Sequence, residues 1–162
     1  IRLSLVGSEM CIRDRTWNPA AITTLLSSEL NALANNAGAI GVEYDNATAK
    51  LLSAWLELTV TFGSNPTAGN TVDAYLIMAM DGTNYADYTA GASGYAPWPA
   101  MIGSWVLQAK TTVHRLTLGG GMGGPIALPP TKFKVFLLNK SGVAFPASGS
   151  LVKLIPSGYK MV

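Results

Sequence analysis

His114 is the single histidine of the 162-residue chain, and so the one side chain whose ordinary pKa suits it to move protons near neutral pH. A Ser-His-Asp or Cys-His site would use it as base, with a nucleophile and an orienting acid converging from elsewhere. No Gly-x-Ser-x-Gly turn exists to present a serine, and His114 sits beside Arg115 in a stretch of mixed pattern. It reads as a surface or partly buried hydrogen-bonding residue. Paired carboxylates for glycoside hydrolysis need two acids roughly 5–10 Å apart in a cleft. Past residue 15 the available acids are Glu29, Glu43, Asp45, Glu57, Asp73, Asp81 and Asp87; Asp73, on a strand's polar face, could approach Glu57 across a sheet, but no pattern places them together and like charges set opposite each other destabilise a sheet. No catalytic residue is assigned, and the chain is not expected to be an enzyme.

Metal and phosphate chemistry fare no better. Asp81, Asn84 and Asp87 offer the oxygen ligands that calcium prefers, but the alternation and closing glutamate of an EF-hand are missing. Asp-Gly followed by Asn is ordinary turn chemistry. The glycine tract at 119–124 lacks the Lys-Ser/Thr and following helix of a phosphate loop; Pro125, Pro129 and Pro130 follow instead, which suits an inter-strand connection. Neither metal nor cofactor is expected.

The stretch at 81–99 is the most informative. It holds Tyr85, Tyr88, Tyr95 and Trp98 among Gly, Ala, Ser and Asn. Large rigid rings supply contact area at small entropic cost, so these four are the candidate ligand or partner contacts. They could stack on sugar faces; alternatively, Trp98 and one or two tyrosines fold back to cap an open end of the domain. Lys132 and Lys134 flank Phe133 at alternate spacing, as on a solvated strand face able to meet an acidic neighbour.

The elements that would carry these residues follow from periodicity. Hydrophobic residues make up 49% of the chain and charged residues 12%, with a net charge of +2. A typical soluble domain is about 25% charged, and disorder requires low hydrophobicity with high net charge. One compact domain is expected. The basic residues are too few and scattered for a nucleic-acid footprint. The apolar runs, such as 75–80, fall far short of the roughly 20 residues a membrane helix needs.

Asn18 and Pro19 form a helix-start signal; Ile22, Leu25, Leu26, Leu30 and Leu33 recur at helical spacing, and Asn35, Asn36 and Gly38 supply a stop. The spacing predicts one amphipathic N-terminal helix over 19–35, serving as a packing element or as a docking helix. From Lys50 the period becomes two. Alternation predicts strands near 52–62, 72–80, 101–110, 112–118, 132–139 and 150–155, with a weaker one at 39–45. Strands separated by turn signals, without crossover helices, argue for a mainly β fold: an antiparallel β-sandwich or jelly roll.

Two resemblances complete the reading. Residues 5–15, Leu-Val-Gly-Ser-Glu-Met-Cys-Ile-Arg-Asp-Arg, resemble the translation of a tagmentation sequencing adapter. This implies that 1–15 is an artefact of library preparation in a metagenomic read and that the native start lies elsewhere. Without them 8 basic residues face 7 acidic ones, and no cysteine remains. The expected organisation is then an N-terminal helix within 16–38 and a single β-sandwich domain over 39–162. The stretches at 81–87, Asp-Gly-Thr-Asn-Tyr-Ala-Asp, and 128–142, Leu-Pro-Pro-Thr-Lys-Phe-Lys-Val-Phe-Leu-Leu-Asn-Lys-Ser-Gly, resemble small structural proteins of tailed bacteriophages. That resemblance implies a virion component, capsid decoration or tail-associated, whose partners are copies of itself and other virion proteins. The alternative is a carbohydrate-binding or adhesion module taking a host-surface glycan. Neither nucleic acid nor membrane is expected as a partner.

Overall fold

The computed structural model describes residues 15–17, 21–96, 100–119, 124–157 and 159–161. The adapter-like stretch therefore lies outside the described residues, apart from its last, Arg15, which enters a short ribbon of β1 (Arg15–Trp17) with β12 (Tyr159–Met161).

The rest is mainly β. One antiparallel sheet runs β2 (Thr23–Leu26), β11 (Leu151–Pro156), β5 (Ser53–Val60), β8 (His114–Leu118), with β9 (Ile126–Ala127) also on β5. The other runs β3 (Gly38–Ile40), β10 (Lys132–Lys140), β6 (Thr71–Met78), β7 (Met101–Val106), with β4 (Tyr44–Asp45) beside β3 on β10. We call them the β5 sheet and the β10 sheet. Among the described residues, helix is confined to one turn, α1 (Asn46–Ala49), and a 3-10 turn at Ser28–Leu30. The long strands lie where the period-two pattern predicts them.

Alternation explains why two sheets result. Ala54, Leu56, Leu58 and Val60 of β5 and Val152 and Leu154 of β11 point one way; Val72, Ala74 and Leu76 of β6 and Phe133, Val135 and Leu137 of β10 point the other, and all join one continuous apolar cluster. In β10 and β6 the opposite face is buried as well. Phe136, Ile77 and Tyr75 form a second cluster on the outer side of the β10 sheet, and Phe136 has no exposed surface at all.

The helix expected over 19–35 does not form in its described part. Thr23–Leu26 is a strand paired to β11, and the chain then turns through the 3-10 segment. The helical period is the wrong one for this apolar stripe: Leu25, Leu26, Leu30 and Leu33 are all buried, whereas Ile22 is 60% exposed. Leu26 lies opposite Val152 and Thr24 opposite Lys153, so Leu25 is the extra residue of a bulge, which lets two successive leucines enter the core. β-branched Thr23 and Thr24 favour the strand, and the open edge of β11 supplies hydrogen bonds that outweigh a helix propensity of a few tenths of a kcal/mol per residue. Ala32 and Asn36 have φ of 52° and 62°, incompatible with a continuing helix. Within the expected helical segment, Thr23–Leu26 and Gly38 thus belong to the two sheets instead of preceding them.

Two buried asparagines tie the connections down. Asn139, at the end of β10, donates from Nδ2 to the carbonyls of Leu33 (3.0 Å), Ala34 (3.1 Å) and Val143 (2.9 Å), and its Oδ1 accepts from the Ser141 amide (3.0 Å). Asn46 donates to the carbonyls of Leu51 (3.0 Å) and Pro129 (2.6 Å) and accepts from the Leu51 amide (2.9 Å). Each amide joins backbone groups from segments that are not neighbours in the sheets. Asn139→Ala removes these four bonds and leaves the buried Ser141 amide without its acceptor, so a loss of about 3 kcal/mol is expected in urea unfolding, at an unchanged m-value.

Candidate functional site

The aromatic stretch forms a loop laid across the outer face of the β10 sheet. It leaves β6 through a bridge between Ala79 and Tyr85 and turns at Asp81. The Asp81 carboxylate accepts from the amides of Thr83 (2.8 Å) and Asn84 (2.7 Å) and from the Asn84 side chain (2.7 Å). These donors, the Asn84 amide first, draw its pKa down to about 2. The carboxylate that could have held calcium is thus engaged in the turn, and no group of metal-ligating side chains occurs among the described residues.

Further on, Thr89 pairs with Tyr95, and Gly91 pairs with Gly38 of β3, the Gly38 amide donating to Gly91 (2.9 Å) and the Gly91 amide to Gly38 (2.8 Å). The loop thereby pairs with the β3 edge at this one position. Only glycine fits here: a Cβ on Gly38 would collide with the Phe136 ring, and one on Gly94 with the Gly38 backbone.

The three described tyrosines have different roles. Tyr88 packs on Phe136, centroids 6.4 Å apart, and helps seal the outer cluster. Tyr85 donates its hydroxyl to Glu43 Oε2 at 2.7 Å, and Lys134 Nζ lies 4.4 Å from the centroid of its ring. Tyr95 is 59% exposed. Trp98 lies outside the described residues. Two of the four rings therefore fold back onto the protein, but over a sheet face and not over an open end.

Glu43 joins the loop to β10. Besides Tyr85 it meets Lys132 at 3.0 Å, and the Tyr85 hydroxyl, followed by Lys132, lowers its carboxyl pKa. Burial, followed by Glu43, raises the pKa of Tyr85. The lysine pair thus has its acidic neighbour within the same chain. Nothing in the sequence singles out Glu43 directly; the spacing of Lys132 and Lys134 is the available signal for it.

A second pair escapes sequence reasoning for the same reason. Asp73 is buried on the outer face of β6, where it accepts from Ser104 Oγ (2.6 Å) and meets Lys140 (2.8 Å). Burial raises its pKa, yet the bonds from Lys140, Ser104 and Thr71 outweigh it and hold the carboxyl below its ordinary value. Glu57 alternates with core residues of β5 and so faces outward from the other sheet, with the core between the two acids. No carboxylate pair for hydrolysis is assembled from them. His114 is buried at the edge of the β5 sheet, Nε2 3.1 Å from the Lys110 carbonyl and its ring edge-on to Phe62, while its other nitrogen has no partner. It is more deeply buried than its sequence neighbourhood suggests.

At the end of the molecule where β6 finishes, Leu76, Met78, Met101, Ile102, Leu128 and Pro129 line most of a shallow cleft of about 360 Å³. No charged side chain lines it. The tract following β8 is described only at Gly119 and Gly124, which approach so closely that Gly119 has no room for a Cβ.

Comparison with protein-family profiles, with curated proteins and with solved structures finds no match.

The Asp73–Lys140 pair sets a pH dependence with a definite sign. Because the folded carboxyl titrates below its ordinary value, its contribution is present above about pH 4, the unfolded pKa, and is lost as pH falls through the lowered one. Lys140 is 47% exposed, so solvent screening limits the pair to about 1 kcal/mol. Lys140→Met is expected to lower urea stability by that amount at pH 7, and the difference from the parent is expected to shrink as pH falls below about 4.

Proposed function

We propose that the chain is a structural, non-enzymatic protein of a tailed-phage virion, a jelly-roll sandwich that works by assembling with copies of itself and with other virion proteins. The observation that carries this reading is the strand order. Numbering in chain order the eight strands on the two main paths, one sheet runs 1-8-3-6 and the other 2-7-4-5, the order produced by wrapping an antiparallel hairpin pair into a jelly roll. Jelly rolls serve in viral capsids and in lectins; fold alone does not choose between them.

The surface favours assembly. The charge-poor composition suits a protein that buries surface against neighbours, since charges are depleted at interface cores. Ile22, Met80 and Val106 are each at least 60% exposed, and the cleft beside Met78 is uncharged. The two stretches that carry the phage resemblance also meet in space: 128–142 contains β10, and 81–87 begins the loop packed on it. Within the described residues no helix is long and apolar enough to cross a membrane.

Light scattering on the full chain is expected to give a particle mass that is a multiple of 17.0 kDa at micromolar concentration. A mass that stays at the monomer value through the high micromolar range overturns the assembly reading. Capsid, portal or tail genes flanking the coding sequence would support its virion setting.

The glycan-binding alternative keeps one specific support, the exposed ring of Tyr95. A glycan array separates the two: binding abolished by Tyr95→Ala or Trp98→Ala supports a lectin-like module, and silence across the array removes it.

A further inference from the structure

We propose that residues 81–96 form a strap that detaches as one unit from the outer face of the β10 sheet while the two-sheet body stays folded. The proposal rests on the mismatch between what the segment covers and what holds it, and is independent of the assembly reading. Underneath lie Phe136, Ile77 and Tyr75, all buried and all apolar or aromatic. The strap itself commits little apolar surface in return: Ala96 is its only buried residue, and Tyr85 and Tyr88 pack on the cluster half-buried.

Apart from the apolar surface it covers, its fastenings are local and polar. The hydroxyl of Tyr85 bonds to an exposed glutamate, Glu43, the Lys134 ammonium lies over the same ring, and the Gly38–Gly91 exchange holds the far part. Bonds of these kinds are individually modest. None of the residues that pair β10 with β6 or β11 with β5 belongs to the strap, so lifting it leaves both ladders and the inter-sheet cluster intact. Segments with few buried apolar contacts and exposed hydrogen bonds open below the free energy of global unfolding. Opening here would uncover a contiguous apolar band on a sheet face otherwise bordered by Lys132, Lys134 and Lys140. The closed strap withholds that band from solvent and from partners.

Thiol labelling across sub-denaturing urea tests this. In the full chain carrying Cys11→Ser, Ile77→Cys places a thiol beneath the strap and Leu137→Cys places one in the inter-sheet core. The expected result is that Ile77→Cys labels with a urea dependence well below that of global unfolding, as only the strap's surface is exposed, and that Tyr85→Phe raises this rate about five-fold. Leu137→Cys is expected to label only with the urea dependence of global unfolding. Amide exchange of Gly38 and Gly91 in the unsubstituted chain gives the same reading should a thiol variant fail to fold. A shared urea dependence for both thiols, or a Gly91 amide that exchanges only through global unfolding, overturns the proposal.

Discussion

The central strands of the β10 sheet must be covered on both faces. β10 and β6 carry apolar or aromatic side chains inward and outward, so the opposing sheet can satisfy only half of their burial. Leaving Phe136, Ile77 and Tyr75 in water would forgo roughly 2 kcal/mol of transfer free energy per side chain. The loop at 81–96 meets that requirement, and its composition suits it to do so. Gly94 allows the loop backbone to approach that of Gly38, which itself lies against the Phe136 ring, and Tyr88 packs on the same ring. The turn at Asp81 reverses the chain so that it crosses back over the sheet it has just left.

Covering that face also protects an edge. Gly91 exchanges backbone bonds with Gly38, so β3 does not present free donors and acceptors at that position, and the Val42 amide donating to the Leu25 carbonyl (3.0 Å) links the same side to β2. Unpaired edges template association with other strands, and here the chain blunts them with its own backbone. On the other side β7 carries a bulge between Ala74 and Tyr75 of its partner register, a second device that disfavours edge pairing. Under the proposed assembly, copies would meet through side chains, such as those around the uncharged cleft, more readily than through added strands.

The two ends of the molecule are finished differently. Where β10 ends, Asn139 draws the connections at 33–37 and 141–143 into one hydrogen-bonded unit. Where β6 ends, Met78, Met101 and Leu128 leave an apolar cleft, with Met80 beyond it 77% exposed. Methionine adapts its shape to varied surfaces, so this end is the more accommodating one for a neighbour. His114 and Asp73, the residues with most chemical promise in isolation, are both occupied within the fold: one in a buried contact with Phe62 and the Lys110 carbonyl, the other in its pair with Lys140.

The sequence by itself determined the class and most of the strands, because alternation of side chains is a local property: the run from Ala54 to Val60 can bury one face only if it is extended. It also marked 81–99 as the segment out of the ordinary. The tertiary structure alone decided what lay between Ile22 and Leu33, since the leucines there satisfy a helical spacing and a bulged strand equally, and only the edge of β11 tips the balance. It likewise decided that Asp73, Tyr75 and Ile77, on what reads as the polar side of β6, are buried. Glu43 meets Tyr85 across 42 residues and Asn139 meets Leu33 across 106; no periodicity encodes such meetings, which arise when two sheets and a returning loop bring distant segments into one space.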